Sequence, residues 1–227
     1  MTYFHPTETW KATYPDAHAG VLVMHKLINP PTHAGLEARK MALEDDIRAR
    51  FAGQDRTAVE AIPTIQAYAA YYAGFKKTYH VQVQLESIAF KGRTIPNVAS
   101  LVEAMFMAEV KNLLLTAGHD LDSLELPLTM AVARGKEAFT TLRGQIAALK
   151  TGDMYMADAS GVVSSIIYGP DERTQIRAQT HNVLFAVYAP AGIPVDAVHD
   201  HLREIEQNVR LVAPHAETEL LEVYGAR

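Results

Sequence analysis

Helix-like and strand-like patterning are segregated along this chain, and that order constrains its fold more than any single motif. After one early strand, helical patterns run to about residue 115. Short strand patterns follow from about residue 128, and an amphipathic helix comes late. Segregated runs of the two kinds mark an α+β domain. The early strand is Gly20 to Ile28, short, apolar and β-branched, stopped by Asn29-Pro30-Pro31. From Gly35 to Phe51, the residues Leu36, Met41, Leu43, Ile47 and Phe51 form one apolar stripe, which predicts a helix ended by Gly53. A second helix is expected over Thr57 to Ala73, broken or kinked at Pro63, and a short one over Val81 to Phe90. Asn97, preceded by Pro96, is the expected N-cap of a helix reaching about Leu115. That helix carries Leu101, Val102, Met105, Phe106, Met107 and Val110, so it is expected to be buried on most sides.

Leu128 to Ala133 alternates weakly, Arg134-Gly135-Lys136 reads as a turn, and Glu137 to Leu142 reads as the partner strand. Met154 to Ala157 and Val162 to Tyr168 flank Asp158-Ala159-Ser160-Gly161, a hairpin signal. His181 to Tyr188 is a further strand, Pro194 to Leu211 an amphipathic helix, and Leu220 to Val223 a last edge strand. The strands from Leu128 to Tyr188 are expected to form connected sheet structure, with the helix over 97–115 buried against it. No internal repeat, low-complexity tract or Pro-, Gly- or Ser-rich linker divides the 227 residues, so a single domain is expected.

Composition excludes several chemistries. With 48% apolar residues, a chain of this length buries about 70% of its unfolded surface and needs no staple. Zero Cys excludes a disulfide scaffold, a thiolate zinc site, an iron–sulfur centre and a Cys nucleophile. The absence of Cys suits a reducing compartment. The opening Met1-Thr2-Tyr3-Phe4-His5-Pro6 lacks the charged and apolar regions of a signal peptide. No run of about 18 apolar residues spans a membrane. A cytoplasmic location without membrane contact is therefore expected. The net charge of -5 argues against broad non-specific binding to nucleic acid but permits a local basic patch.

The ten histidines do not form a metal-binding pattern. His199 and His201 point about 200° apart on a helix, His18 and His25 face opposite sides of a strand, and no His-Glu-x-x-His occurs. Asp120-Leu121-Asp122 with Glu125 lacks the central Gly and distal Glu of a calcium loop. Neither a metal nor an organic cofactor is expected. There is no Gly-rich phosphate loop and no Gly-x-Ser-x-Gly elbow. Ser164-Ser165 falls in an expected strand, and Glu44-Asp45-Asp46 reads as a solvated helix face. Lys76, Lys77, Lys91 and Arg93, interleaved with Tyr71, Tyr72, Phe75 and Tyr79, form the basic group that could meet phosphate. The aromatics suit a core at least as well as a stacking platform.

Several short pieces, in order, resemble one family. They are Lys91-Gly92-Arg93-Thr94-Ile95-Pro96-Asn97, Leu101-Val102-Glu103, Gly118-His119-Asp120-Leu121-Asp122, and Ala133-Arg134-Gly135-Lys136-Glu137-Ala138-Phe139. Gly152-Asp153-Met154-Tyr155-Met156-Ala157-Asp158, Arg173-Thr174 and Thr180-His181-Asn182-Val183-Leu184-Phe185 complete the set. Over about 75–212 the chain resembles the B3/B4 domain of the phenylalanyl-tRNA synthetase beta subunit, in its free-standing form. Residues 1–74 resemble the extension that free-standing relatives carry, integrated with that core.

The resemblance implies mixed sheets packed with helices and a tRNA-editing function: hydrolysis of the ester of a mischarged aminoacyl-tRNA. The family's Glu in its Gly-x-Glu turn falls on Glu137, and His119 and Asp120 are the accompanying catalytic candidates. Ser165, Tyr168 and Phe106 are the implied substrate-binding candidates, and tRNA the implied partner, held by Lys76, Lys77, Lys91 and Arg93. Departures from the synthetase pattern stand at Ala117, where the family has His, at Phe106, where it has Asn, and at Glu103, where it has Asp. Ser164 to Gly169 replaces a Gly-rich stretch. These departures leave open a non-catalytic tRNA or amino-acid binding module, or a small-molecule enzyme reusing the pocket.

Overall fold

A computed structural model describes residues 2–225. The chain opens with β1 (Phe4–Pro6), α1 (Glu8–Thr13) and β2 (His18–His25). Five helices follow: α2 (Ala34–Arg50), α3 (Arg56–Glu60), α4 (Pro63–Ala73), α5 (His80–Lys91) and α6 (Ser100–Asn112). Pro63 divides α3 from α4 and sits at the first position of α4, where its missing N–H costs nothing.

The strands β3 (Thr116–Asp120), β4 (Leu128–Val132), β5 (Ala138–Thr140), β6 (Ile146–Ala148), β7 (Met154–Asp158), β8 (Gly161–Ser165), β9 (Gly169–Pro170) and β10 (Val183–Ala189) come next. The chain then runs through α7 (Val195–Val212) into β11 (Glu217–Gly225). One sheet has the order β1-β4-β7-β8-β9, a second β11-β2-β10-β3, and β5 pairs only with β6. This is the α+β class expected from the segregated patterning.

The second sheet is the centre of the molecule. All seven residues of β10 and six of the eight in β2 are buried, so both faces are covered and the strands read as continuous apolar runs. Val198, Leu202, Ile205, Val209 and Val212 give α7 the stripe that lies on this sheet. Gly20 permits the close approach: a Cβ there would stand 2.7 Å from Val198 Cγ1. A hydrogen bond of 2.6 Å between Ser164 Oγ and Tyr188 Oη ties β8 of the first sheet to β10 of the second.

Four expectations need correction. β10 does not continue the sheet of β4, β7 and β8; its fully buried composition places it between β2 and β3. The segment after the Gly135 turn does not pair with β4, because β1 and β7 already occupy both edges of β4. Asn97 is not the cap of α6, whose N-cap is Ala99. The Asn97 carboxamide oxygen instead accepts from Lys40 Nζ at 2.5 Å, and the Glu103 carboxylate takes up the Val98 N–H at 2.8 Å. Glu44 is buried rather than solvated, and it accepts the Ile95 N–H at 2.7 Å. The helix over 97–115 is shorter than expected but has nine buried residues. Thr116 to Asp120, with no β-branched run, forms an unexpected strand, buried along its whole length beside β10.

Candidate functional site

A cavity of about 440 Å³ lies where α5 and α6 meet β3, the β8–β9 turn and the 171–180 loop. Val102, Met105 and Phe106 from α6, with Leu115 and Ile176, make most of its wall apolar. Its polar side chains are few: His80 and Gln84 from α5, Glu109 from α6, Thr116 from β3, Ser165 from β8, Gln175 from the loop and Tyr188 from β10. Leu142 and Arg143, exposed on the β5–β6 hairpin, reach its rim. A small set of polar groups in an apolar cavity is the usual make-up of a site that binds and orients a small ligand.

His80 opens α5 and faces the cavity one turn before Gln84, so the two side chains share a helix face. Tyr72 Oη donates its only proton to the Ile166 carbonyl at 2.6 Å. The 3.3 Å contact between Tyr72 Oη and His80 Nδ1 therefore needs the proton on Nδ1. That tautomer leaves Nε2 with a free lone pair. His80 stays open to the cavity, yet packing around the ring lowers its pKa by burial, which keeps the imidazole neutral near pH 7.

Glu109 is buried on α6, and its Oε1 accepts the Thr116 N–H at 3.0 Å. Burial pushes its pKa up to about 8, against the opposing effect of that one backbone donor. Asp153, fully buried behind Ser165, is likewise pushed up to about 7 by burial, opposed by hydrogen bonding from Ser165 and Tyr71.

Of the residues expected from the sequence, Ser165 and Phe106 line this cavity. The others lie elsewhere. Glu137 folds its carboxylate onto its own turn, where Oε2 accepts the N–H groups of Arg134 at 2.9 Å and Lys136 at 3.0 Å. Burial raises its pKa, but backbone donors outweigh that and hold it below the ordinary range. His119 is fully buried on β3. Its Nδ1 meets Thr174 Oγ1 at 2.7 Å, and Thr174 in turn bonds to Asp171. Burial, then the Arg173 charge, lowers the His119 pKa to about 4. Asp120 accepts from Thr180 Oγ1 at 2.8 Å, and its N–H donates to the Thr174 carbonyl at 2.7 Å. His119 and Asp120 thus fasten the loop that carries Gln175 and Ile176 into the wall. The Tyr168 N–H donates to Ser165 Oγ at 3.0 Å, and Lys77 Nζ stands 4.7 Å from the Tyr168 ring centroid.

The four cations separate into two pairs. Lys76 and Lys77 precede α5, while Lys91 and Arg93 end and follow it, so the twelve-residue helix holds the pairs roughly 17 Å apart. Arg93 lines a shallower groove of about 150 Å³ that shares Gln84 and Phe106 with the main cavity. Lys77 lines a different groove, with Arg56 and Glu60. Among the described residues, no group of three His, Asp or Glu side chains converges on a metal position. Likewise, no helix there is long and apolar enough to cross a membrane. Glu109 and His80 escaped the sequence reading as site residues. The signal for Glu109 was a carboxylate between the apolar residues Ala108 and Val110 in α6.

Comparison with protein families matches residues 65–222 to the B3/4 domain. The chain belongs to the B3/4 domain family. A solved structure with the same fold is an N-terminal fragment of the phenylalanyl-tRNA synthetase beta-subunit from Pyrococcus horikoshii. It is 12% identical in sequence, with a TM-score of 0.51. The alignment covers 96% of this chain and 50% of the fragment, so this B3/4 chain spans half the fragment's length. Comparison with curated proteins gives no match.

Proposed function

We propose that this B3/4 protein takes the aminoacyl end of an aminoacyl-tRNA into its cavity and hydrolyses the ester. The observation that carries this reading is His80 lining a mostly apolar cavity of about 440 Å³, with its Nδ1 3.3 Å from Tyr72 Oη. That volume falls within the range of roughly 300–1,000 Å³ typical of small-ligand sites. Kinship of fold with a phenylalanyl-tRNA synthetase fragment supports the substrate class. In the proposed reaction His80 Nε2 takes a proton from water as the water oxygen attacks the ester carbonyl. The C–O bond then breaks, and the imidazolium returns the proton to the departing ribose oxygen. The Gln84 carboxamide, on the same face of α5, is the donor we assign to the developing oxyanion. Arg143 at the rim and Arg93 in the adjoining groove would meet the phosphates of the RNA end.

The apolar residues at Phe106 and Ala117 favour a second reading, capture of the aminoacyl end without hydrolysis. A deacylation screen of purified protein against a panel of mischarged tRNAs, with filter binding on the same panel, decides between them. Release of an amino acid from at least one tRNA is expected. Binding without release would establish the second reading, and neither would overturn both.

A further inference from the structure

Glu109 presents an arrangement that stability alone does not account for. Its side chain is buried, and among the described residues it has one hydrogen-bond donor, the Thr116 N–H, and no cation within ion-pair distance. The ionisable neighbours that feel its charge are the phenols of Tyr68, Tyr72 and Tyr79, which carry no positive charge. Two other buried acids have counter-charges, Glu103 in Lys40 at 2.8 Å and Glu44 in Arg48 at 3.1 Å. Asp153, also without an ion pair among the described residues, accepts from Tyr71 Oη at 3.0 Å and does not line the cavity. Burying an acid without a counter-charge is unfavourable. Bridging α6 to β3 through Oε1 needs only an acceptor, which a glutamine would supply equally well. What the bridge leaves unexplained is the second oxygen, on a side chain that lines the cavity.

We propose that Glu109 is a recognition group for a free amino group, so that the cavity selects aminoacyl moieties whose α-amine is unmodified. This rests on the reading of the cavity as an aminoacyl site and names the group within it that chooses the substrate. The walls beside Glu109, Met105, Phe106 and Leu115, offer a cation no other partner. An amine placed against Oε2 supplies the missing counter-charge. An N-acylated amine cannot, because it is uncharged and bulkier at the point of contact. The raised pKa of the Glu109 carboxyl agrees with this arrangement, since a cationic ligand would draw the carboxyl into its ionised form.

The test uses a panel of L-amino-acid amides and their N-acetyl counterparts, titrated into protein labelled with carbon-13 at the glutamate carboxyls. At least one free amide is expected to shift the Glu109 carboxyl signal. Its N-acetyl form should bind roughly tenfold or more weakly, the range for loss of a hydrogen bond to a charged group. Glu109→Gln should remove that preference. The signal in the wild-type protein reads the contact directly, so the test stands even if the variant folds poorly. Free and acetylated amides binding alike would overturn the assignment, as would an unmoved Glu109 signal across the whole panel. The two readings fail separately. Deacylation that ignores N-acetylation of the substrate overturns the role of Glu109 and leaves hydrolysis standing. Amine-selective binding without deacylation does the reverse.

Discussion

Replacing Glu109 by glutamine should change how stability depends on pH, in a direction fixed by the structure. The acid's pKa is about 8 in the folded protein, against about 4.3 in an unfolded chain. The folded state therefore holds this proton more tightly than the unfolded state. Its contribution is fully present below the unfolded pKa and is lost as pH rises through the folded one. From pH 5 to pH 8 the difference in bound protons amounts to about 3–4 kcal/mol of stability lost by the wild-type protein and not by the variant. The glutamine side chain keeps an acceptor for the Thr116 N–H, so near pH 5 the two proteins should agree within about 1 kcal/mol. Asp153, which titrates in the same window, is present in both proteins and cancels in the comparison. Urea denaturation of both proteins across pH 5–9 measures the effect. The variant should become progressively the more stable of the two as pH rises. A difference that stays flat with pH, or that favours the wild type at high pH, would refute the claim that this carboxyl is buried without a counter-charge.

Three further outcomes follow from particular contacts. His80→Gln should lower the deacylation rate on the order of 10²–10⁴-fold. The wild-type rate should fall as pH drops through a pKa below the ordinary imidazole value, and the variant should lack that limb. Gly20→Ala forces a methyl group to 2.7 Å from Val198 Cγ1, between α7 and β2, and should cost about 1–3 kcal/mol in urea denaturation; an unchanged midpoint would mean the helix can shift at little cost. Glu137→Ala removes the acceptor of two turn N–H groups and should cost about 1 kcal/mol while deacylation stays the same. A change in amino-acid discrimination instead would place that carboxylate within reach of the substrate.

Periodicity made the long elements legible. The stripe of α7, the break at Pro63 and the hairpin around Asp158 follow from side-chain spacing and turn chemistry, whereas the expected stripe of α2 holds only in part: Met41 is exposed, and the buried face carries Lys40 and Glu44. Which strands pair did not follow, because pairing depends on which edges remain free. β4 has the pattern of a hairpin partner for the segment after Gly135, yet β1, only three residues long and distant in sequence, takes one edge in parallel. β3 was illegible for a related reason: Thr-Ala-Gly-His-Asp has little strand character of its own and is held by pairing with β10. At the site, Phe106 and Ser165 could be named from the resemblance. The placement of Glu137, His119 and Asp120 could not, since each spends its polar atoms on turns and loops that only the folded chain brings near.

The departures from the synthetase pattern and the two overlooked residues belong to one physical picture. Phe106 and Ala117 stand where the resembled family carries Asn and His, and both line the cavity. An apolar ring and a methyl group at those two positions neither donate nor accept hydrogen bonds. Glu109 lies three residues beyond Phe106 on α6, so it shares that helix face, and His80 approaches from the neighbouring α5. The capacity for polar chemistry is therefore displaced by about one turn of α6 rather than removed. The displacement also explains why the Glu109 carboxyl holds its proton so firmly. In a wall with an Asn and a His it would have donors nearby, whereas between Met105, Phe106 and Leu115 it has one backbone N–H. The apolar neighbours and the raised pKa of Glu109 thus belong to a single cavity, and the proposed amine would supply the positive charge this carboxyl has no partner for.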